Sequence, residues 1–112
     1  MDSVPLERIV KILTDGYAIK ILAATTRDVK SAIDLSQELN VPIAACYRRL
    51  HMLENAGLIH VQERTTPKGK KMKYYRSKIK RANIHIEDNT LIVELIFSNG
   101  NIKKYSGKIV AG

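Results

Sequence analysis

The chain lacks the marks of several common protein classes. Its 112 residues include one cysteine, Cys46, and a lone thiol excludes an intrachain disulfide. No stretch approaches the ~20 consecutive apolar residues of a membrane-spanning helix. Met1 to Leu6 show no basic region followed by an apolar run, so no secretory signal is expected there. There is no internal repeat and no low-complexity tract. No nucleophile elbow, phosphate-cradling glycine loop or carboxylate pair stands out. These absences point to a cytoplasmic protein that is not an enzyme. No cofactor, metal site or membrane partner is called for, and the sequence names no small-molecule effector.

Negative charge is scarce in one place. Residues 1–57 and 82–112 are each neutral, whereas residues 58–81 hold nine Lys/Arg against Glu63 alone. The whole net charge of +8 therefore sits in one short segment. A localised basic patch of this kind attracts polyanions, nucleic acid first; the plainer reading is a solvated loop. Hydrophobic residues make up 45% of the chain, enough for one modest core with a small appendage.

Helical spacing dominates the first half. Leu6, Ile9, Val10 and Leu13 share one face of a helix over Val4–Leu13, with Ser3 as its cap and Pro5 in its first turn. A second helix is expected from Tyr17 to about Thr25, after the Asp15-Gly16 break. Ser31 to Asp34 resembles a capping box that opens a third helix, whose apolar contacts are Ile33, Leu35 and Leu39. Asn40 suits the left-handed position after it. Pro42 then starts a fourth helix, from Ile43 to about Asn55, with Gly57 at its C-terminal end.

From Leu58 the pattern turns strand-like. Leu58–Arg64 and Lys71–Arg76 read as two strands around a turn with Pro67 and Gly69. The last third reads as a β-meander. Asp88-Asn89 would pair Ile86 with Leu91, Ile84 with Val93 and Ala82 with Leu95. Asn99-Gly100 predicts a type I′ turn, with positive φ at both residues, pairing Phe97 with Ile102. The strand Leu91–Phe97 is apolar on both faces except Glu94. One face is expected on the helices and the other on a second subunit. The expectation is an α+β chain: residues 1–80 form a winged helix-turn-helix of about four helices and a hairpin wing. Residues 81–112 form an antiparallel β-meander, as dimerisation element, effector pocket or cap on the core.

Asp34 to Ile59 resembles the ArsR-like winged-helix family. The run Leu50-His-Met-Leu53-Glu-Asn-Ala56-Gly57-Leu58-Ile59 and the later Gly69 and Tyr74-Tyr75 carry the likeness. It covers roughly residues 4–78, and the basic β-tail is similar to that of archaeal members. The resemblance implies a dimeric, sequence-specific regulator of transcription. The cysteine pair of metal-sensing members is replaced by Ser31-Ala-Ile-Asp34-Leu35, so that metal site is not carried over. The usual Ser/Thr-rich opening of the recognition helix is replaced by Pro42-Ile-Ala-Ala45. The family's terminal dimerising helix has no counterpart in the strand-like tail.

With Cys46, Leu50 and Leu53 inward, Ala44, Arg48, His51 and Asn55 point outward at 100° per residue. In a helix-turn-helix this outer face enters the major groove of double-stranded DNA. The expected base contacts are Ala44, Ala45, Tyr47, Arg48 and His51, with Arg48 reading guanine by two hydrogen bonds. Ala44 and Ala45 would meet thymine methyls or permit close docking. Arg49, Arg64, Lys68, Lys70, Lys71 and Lys73 are expected on the phosphate backbone or minor groove, with Tyr47 flanking. Of Tyr74 and Tyr75, which alternate in their strand, one is core. Cys46 reads as a buried thiol, and His51, five residues on, does not share its face. Two other functions stay open: a nucleic-acid or chromatin binder indifferent to sequence, and a winged helix used as a protein–protein module.

Overall fold

A computed structural model describes residues 5–109. Four helices come first: α1 (Leu6–Leu13), α2 (Gly16–Ala24), α3 (Ala32–Leu39) and α4 (Ile43–Asn55). Five strands follow: β1 (Ile59–Thr65), β2 (Lys71–Ser77), β3 (Ile79–Glu87), β4 (Thr90–Phe97) and β5 (Ile102–Lys108). β1 and β2 form one antiparallel hairpin, and β3, β4 and β5 form a separate antiparallel sheet in that order. This is the expected α+β winged helix with a meander.

Local chemistry sets most of the helix ends. Asp15 caps α2 by accepting the N–H of Ala18 at 2.9 Å. Ser31 accepts the N–H of Asp34, and Asp34 accepts the N–H of Ser31, which completes the capping box and satisfies two orphan donors. Asn40 ends α3 in the left-handed region at φ 55°. α1 begins directly after Pro5 with no side-chain cap; Ser3, expected to cap it, and Val4 lie outside the described residues.

One core joins helices and strands. Ile9 and Ile12 of α1, Ile21 of α2, Leu35 of α3 and Leu50 and Leu53 of α4 are fully buried with Leu58, Val93 and Leu95. The last two lie on the face of β4 that α1 covers. α1 also lies against β5, where a Cβ on Gly107 would meet Leu6 Cδ2 at 2.7 Å. No linker separates wing from meander: Lys78 alone joins β2 to β3, its N–H donating to Leu58 O and its carbonyl accepting from Ser98 N–H. β3 starts at Ile79, so residues 80 and 81 lie inside a strand.

The first meander hairpin has the expected register. Ile86 faces Leu91, Ile84 faces Val93 and Ala82 faces Leu95, with Asp88 at φ 55° in the turn. The second differs. Ile102 faces Ile96 rather than Phe97, and Gly100 alone is left-handed, at φ 92°. Phe97 N–H donates to Asn101 O and Gly100 N–H to Phe97 O. That makes a three-residue loop with a glycine bulge instead of the two-residue type I′ turn. The tip of the wing is built the same way, with Thr66 bonded to Lys70 and Gly69 to Thr66, and Gly69 at φ 80°.

Candidate nucleic-acid interface

The turn between α3 and α4 is short and tied down. Val41 is buried, its N–H donates to Ser36 O, and its carbonyl accepts Ser36 Oγ at 2.6 Å. Pro42, at φ −54°, then launches α4. Cys46, Leu50 and Leu53 point into the core as the spacing requires. Burial pushes the Cys46 thiol pKa up, and its Sγ lies 3.6 Å from Ala32 O. The opposite face carries exposed Ala44, Arg48, His51 and Asn55.

The two flanks of α4 have different jobs. Arg49 sits on the α2 side. Its Nε and Nη2 fork onto the Asp15 carboxylate at 3.0–3.3 Å, and its guanidinium lies 5.3 Å from the Tyr17 ring centroid. The hydrogen bond from Arg49 holds Asp15 below the usual carboxylate range, against the opposing effect of burial. Arg49, expected on DNA phosphates, is therefore corrected to an internal tie between α2 and α4. Ala45 is corrected too. It precedes Cys46 by 100° of helix, falls on this same inner flank and is 5% exposed, so it cannot meet a base.

The other flank faces the wing. Tyr47, Arg48, His51 and Glu54 line one side of a groove of about 760 Å³, with Lys73 and Tyr75 on the other. A second groove of about 370 Å³ continues from it, lined by Ile33 at the start of α3, Tyr47, and Lys70, Lys71, Lys73 and Tyr75. Tyr47, about half exposed, stands as the wall between them. Strand alternation explains the wing's contribution. Lys71 and Lys73 share the Tyr75 face, opposite Thr65 and Glu63. Tyr75 is buried, and burial raises its hydroxyl pKa. Its N–H and C=O both bond Lys30, at 2.8 and 3.1 Å, which fastens the wing to the loop before α3.

Not every expected wing residue joins this surface. Arg64 lies on the other face of the hairpin, donating to Gln62 and placed 5.2 Å over the Tyr74 ring. Lys68 is exposed in the tip. Sequence reading missed Ile33, expected as a core contact but 49% exposed beside the wing. It also missed Glu54, whose negative charge stands in the groove. On a helical wheel Glu54 falls 80° from Cys46, on the same flank as Tyr47 at 100°, which is the signal that groups the two; no local signal gives the Lys30–Tyr75 bridge. On the far side of the wing, His60, Arg76, Lys78, Phe97 and Lys103 line a third concavity of about 620 Å³. Among the described residues no three His, Cys, Asp or Glu converge to hold a metal.

Residues 13–62, from the end of α1 into β1, match the family described as Helix-turn-helix domain. No curated protein matches the sequence. Among solved structures the chain is similar to NolR from Sinorhizobium fredii, at 16% identity and a TM-score of 0.53, over 71% of this chain and 84% of that chain. The protein thus has a winged-helix fold in which residues 13–62 are similar to a helix-turn-helix domain, with one face of α4 exposed and a basic wing on one side of it.

Proposed function

We propose that the protein is a sequence-specific regulator of transcription of the ArsR-like type, binding double-stranded DNA as a homodimer. It works in the cytoplasm on the nucleoid, as a binding protein and not an enzyme. The observation that carries the reading is the shared groove. Arg48, Tyr47 and His51 of α4 line it with Lys73 of the wing, and its continuation past Tyr47 is lined by Lys70 and Lys71. α4 is the second helix of the helix-turn-helix and would lie in the major groove. Arg48 offers a planar fork for guanine O6 and N7, and Ala44 leaves room for close approach. The wing lysines supply affinity through phosphate contacts and counterion release. No described helix is long and apolar enough to cross a membrane.

The test is fluorescence anisotropy of labelled duplexes, one random and one selected from a library, at about 50 and about 200 mM salt. The reading expects far tighter binding to the selected duplex, and a slope of log K on log salt near −0.9 per phosphate contact. Arg48→Ala should cost roughly 1–3 kcal/mol on the selected site alone. A second reading is favoured by Ile43 and Ala44, which open α4 exposed and without side-chain donors. On that reading the chain binds duplex DNA without sequence preference, and both duplexes bind alike.

A further inference from the structure

Among the described residues the β3–β4–β5 sheet has two unpaired edges, and they differ in charge. β5 offers Lys103, Lys104 and Lys108 and no carboxylate. Like charge on an edge is a standard block to further pairing. β3 carries both signs, separated along its length: Lys80 and Arg81 near the start and Glu87 at the end, with Asp88 following in the turn. Every β3 residue after Ile79 is exposed. Beside Glu87 lies His85 Nε2 at 3.7 Å.

The direction of the free backbone groups follows from the hairpin. Glu87 and Thr90 face each other across the two-residue turn Asp88-Asn89, so this pair exchanges both backbone hydrogen bonds. Alternation then turns the N–H and C=O of Arg81, Asn83 and His85 toward β4, and those of Ala82, Ile84 and Ile86 away from the sheet. The side chains of the outward-bonding residues lie on the face that holds Val93 and Leu95. Yet Ile84 is 43% and Ile86 66% exposed, because α1 covers β4 and β5 and stops short of β3.

We infer that β3 is the edge on which a second copy of this chain docks, antiparallel, with Ile84 at the two-fold axis. The inference rests on the homodimer reading above and adds its surface and register. With Ile84 opposite its own copy, Ala82 faces the partner's Ile86, and Arg81 faces the partner's Glu87 on the other side of the sheet. Each contact off the axis occurs twice, as an isologous interface requires. Slipping two residues toward the next symmetric register sets Arg81 against His85 and Glu87 against Ile79, and loses the ion pairs. The chosen register satisfies the outward N–H and C=O groups, matches charge and gathers the exposed isoleucines of both copies into one strip. The product is one continuous sheet through both subunits, with both α1 helices on the same side.

Light scattering coupled to size-exclusion chromatography tests this on the full chain, with circular dichroism checking that each variant is folded. The wild type should elute with twice its 12.6 kDa mass. Arg81→Glu and Glu87→Lys should each raise the dimer dissociation constant about tenfold or more, by setting like charges opposite. The double reversal should restore the dimer. Ile84→Lys, on an exposed side chain, should also dissociate it. A wild type that stays monomeric overturns the homodimer reading and this inference with it. A dimer indifferent to all four variants overturns the β3 edge and leaves the homodimer standing. Single variants that dissociate with no rescue in the double overturn the register.

Discussion

Arg48 and Arg49 are neighbours in the chain with opposite duties. The helix turns 100° between them, which takes one to the exposed face and the other onto Asp15. Arg49→Ala is expected to lower stability by about 1 kcal/mol, through a half-buried ion pair and a lost stack, and to leave the salt slope of DNA binding unchanged. Denaturant unfolding beside the anisotropy titration checks both. The Asp15–Arg49 tie also sets a pH response. Asp15 has a lower pKa in the folded chain than the ~3.9 of an unfolded aspartate. Its contribution is therefore complete above the unfolded value and lost as pH falls through the folded one. Asp15→Asn keeps an acceptor at the cap and removes the charge. It should cost about 0.5–1 kcal/mol at neutral pH and flatten the fall in stability below about pH 4. An unchanged acid limb would show that the pair contributes nothing. The inward triplet Cys46, Leu50 and Leu53 was legible from periodicity alone. Ala45 and Arg49 were not, because a helical wheel gives an angle but not which neighbour lies at it.

At the scale of elements, the capping box makes α3 the best-specified helix in the molecule. Ser31→Ala should lower stability by about 1 kcal/mol, read as a shift in thermal midpoint. The wing tip depends on Gly69, at φ 80° with open space around its missing Cβ. Gly69→Ala should cost about 1–2 kcal/mol in backbone strain and nothing in packing. Lys71→Ala and Lys73→Ala together should reduce the salt slope by nearly two; Lys20→Ala on α2 serves as the control. Helix ends were legible because Asp15, Ser31, Asn40 and Gly57 act locally on their own backbone. The Asn99-Gly100 hairpin was misread for the same reason: the dipeptide suits two loop lengths. The register is decided by which side chains β4 must bury, and Val93 and Leu95 are chosen by α1, far away in sequence.

At the scale of the whole molecule, the wing and meander project from the helices. The radius of gyration is 15.6 Å, against about 13 Å for a compact domain of this length. The longest extent, 56 Å, exceeds one turn of duplex DNA, roughly 34–36 Å. A homodimer is expected to favour a palindrome with half-sites a whole number of turns apart. Inserting about half a turn between them should weaken binding well beyond tenfold by carrying one half-site to the far side of the duplex; equal affinity would mean single copies bind independently. The order of elements was readable from sequence, whereas the joint between wing and meander was not, because a single residue, Lys78, makes it through backbone bonds to Leu58 and Ser98.

The two faces of α4 have a further consequence, for how such a protein changes over generations. Ala44, Arg48, His51 and Asn55 lie on the side turned away from the core. Substitutions at exposed sites like these usually leave stability within about 0.5 kcal/mol. On the proposed reading of α4 as the DNA-reading helix, lineages could change target sequence by exchanging such side chains without passing through poorly folded intermediates. Cys46, Leu50 and Leu53, a few ångströms away on the same helix, have no such freedom.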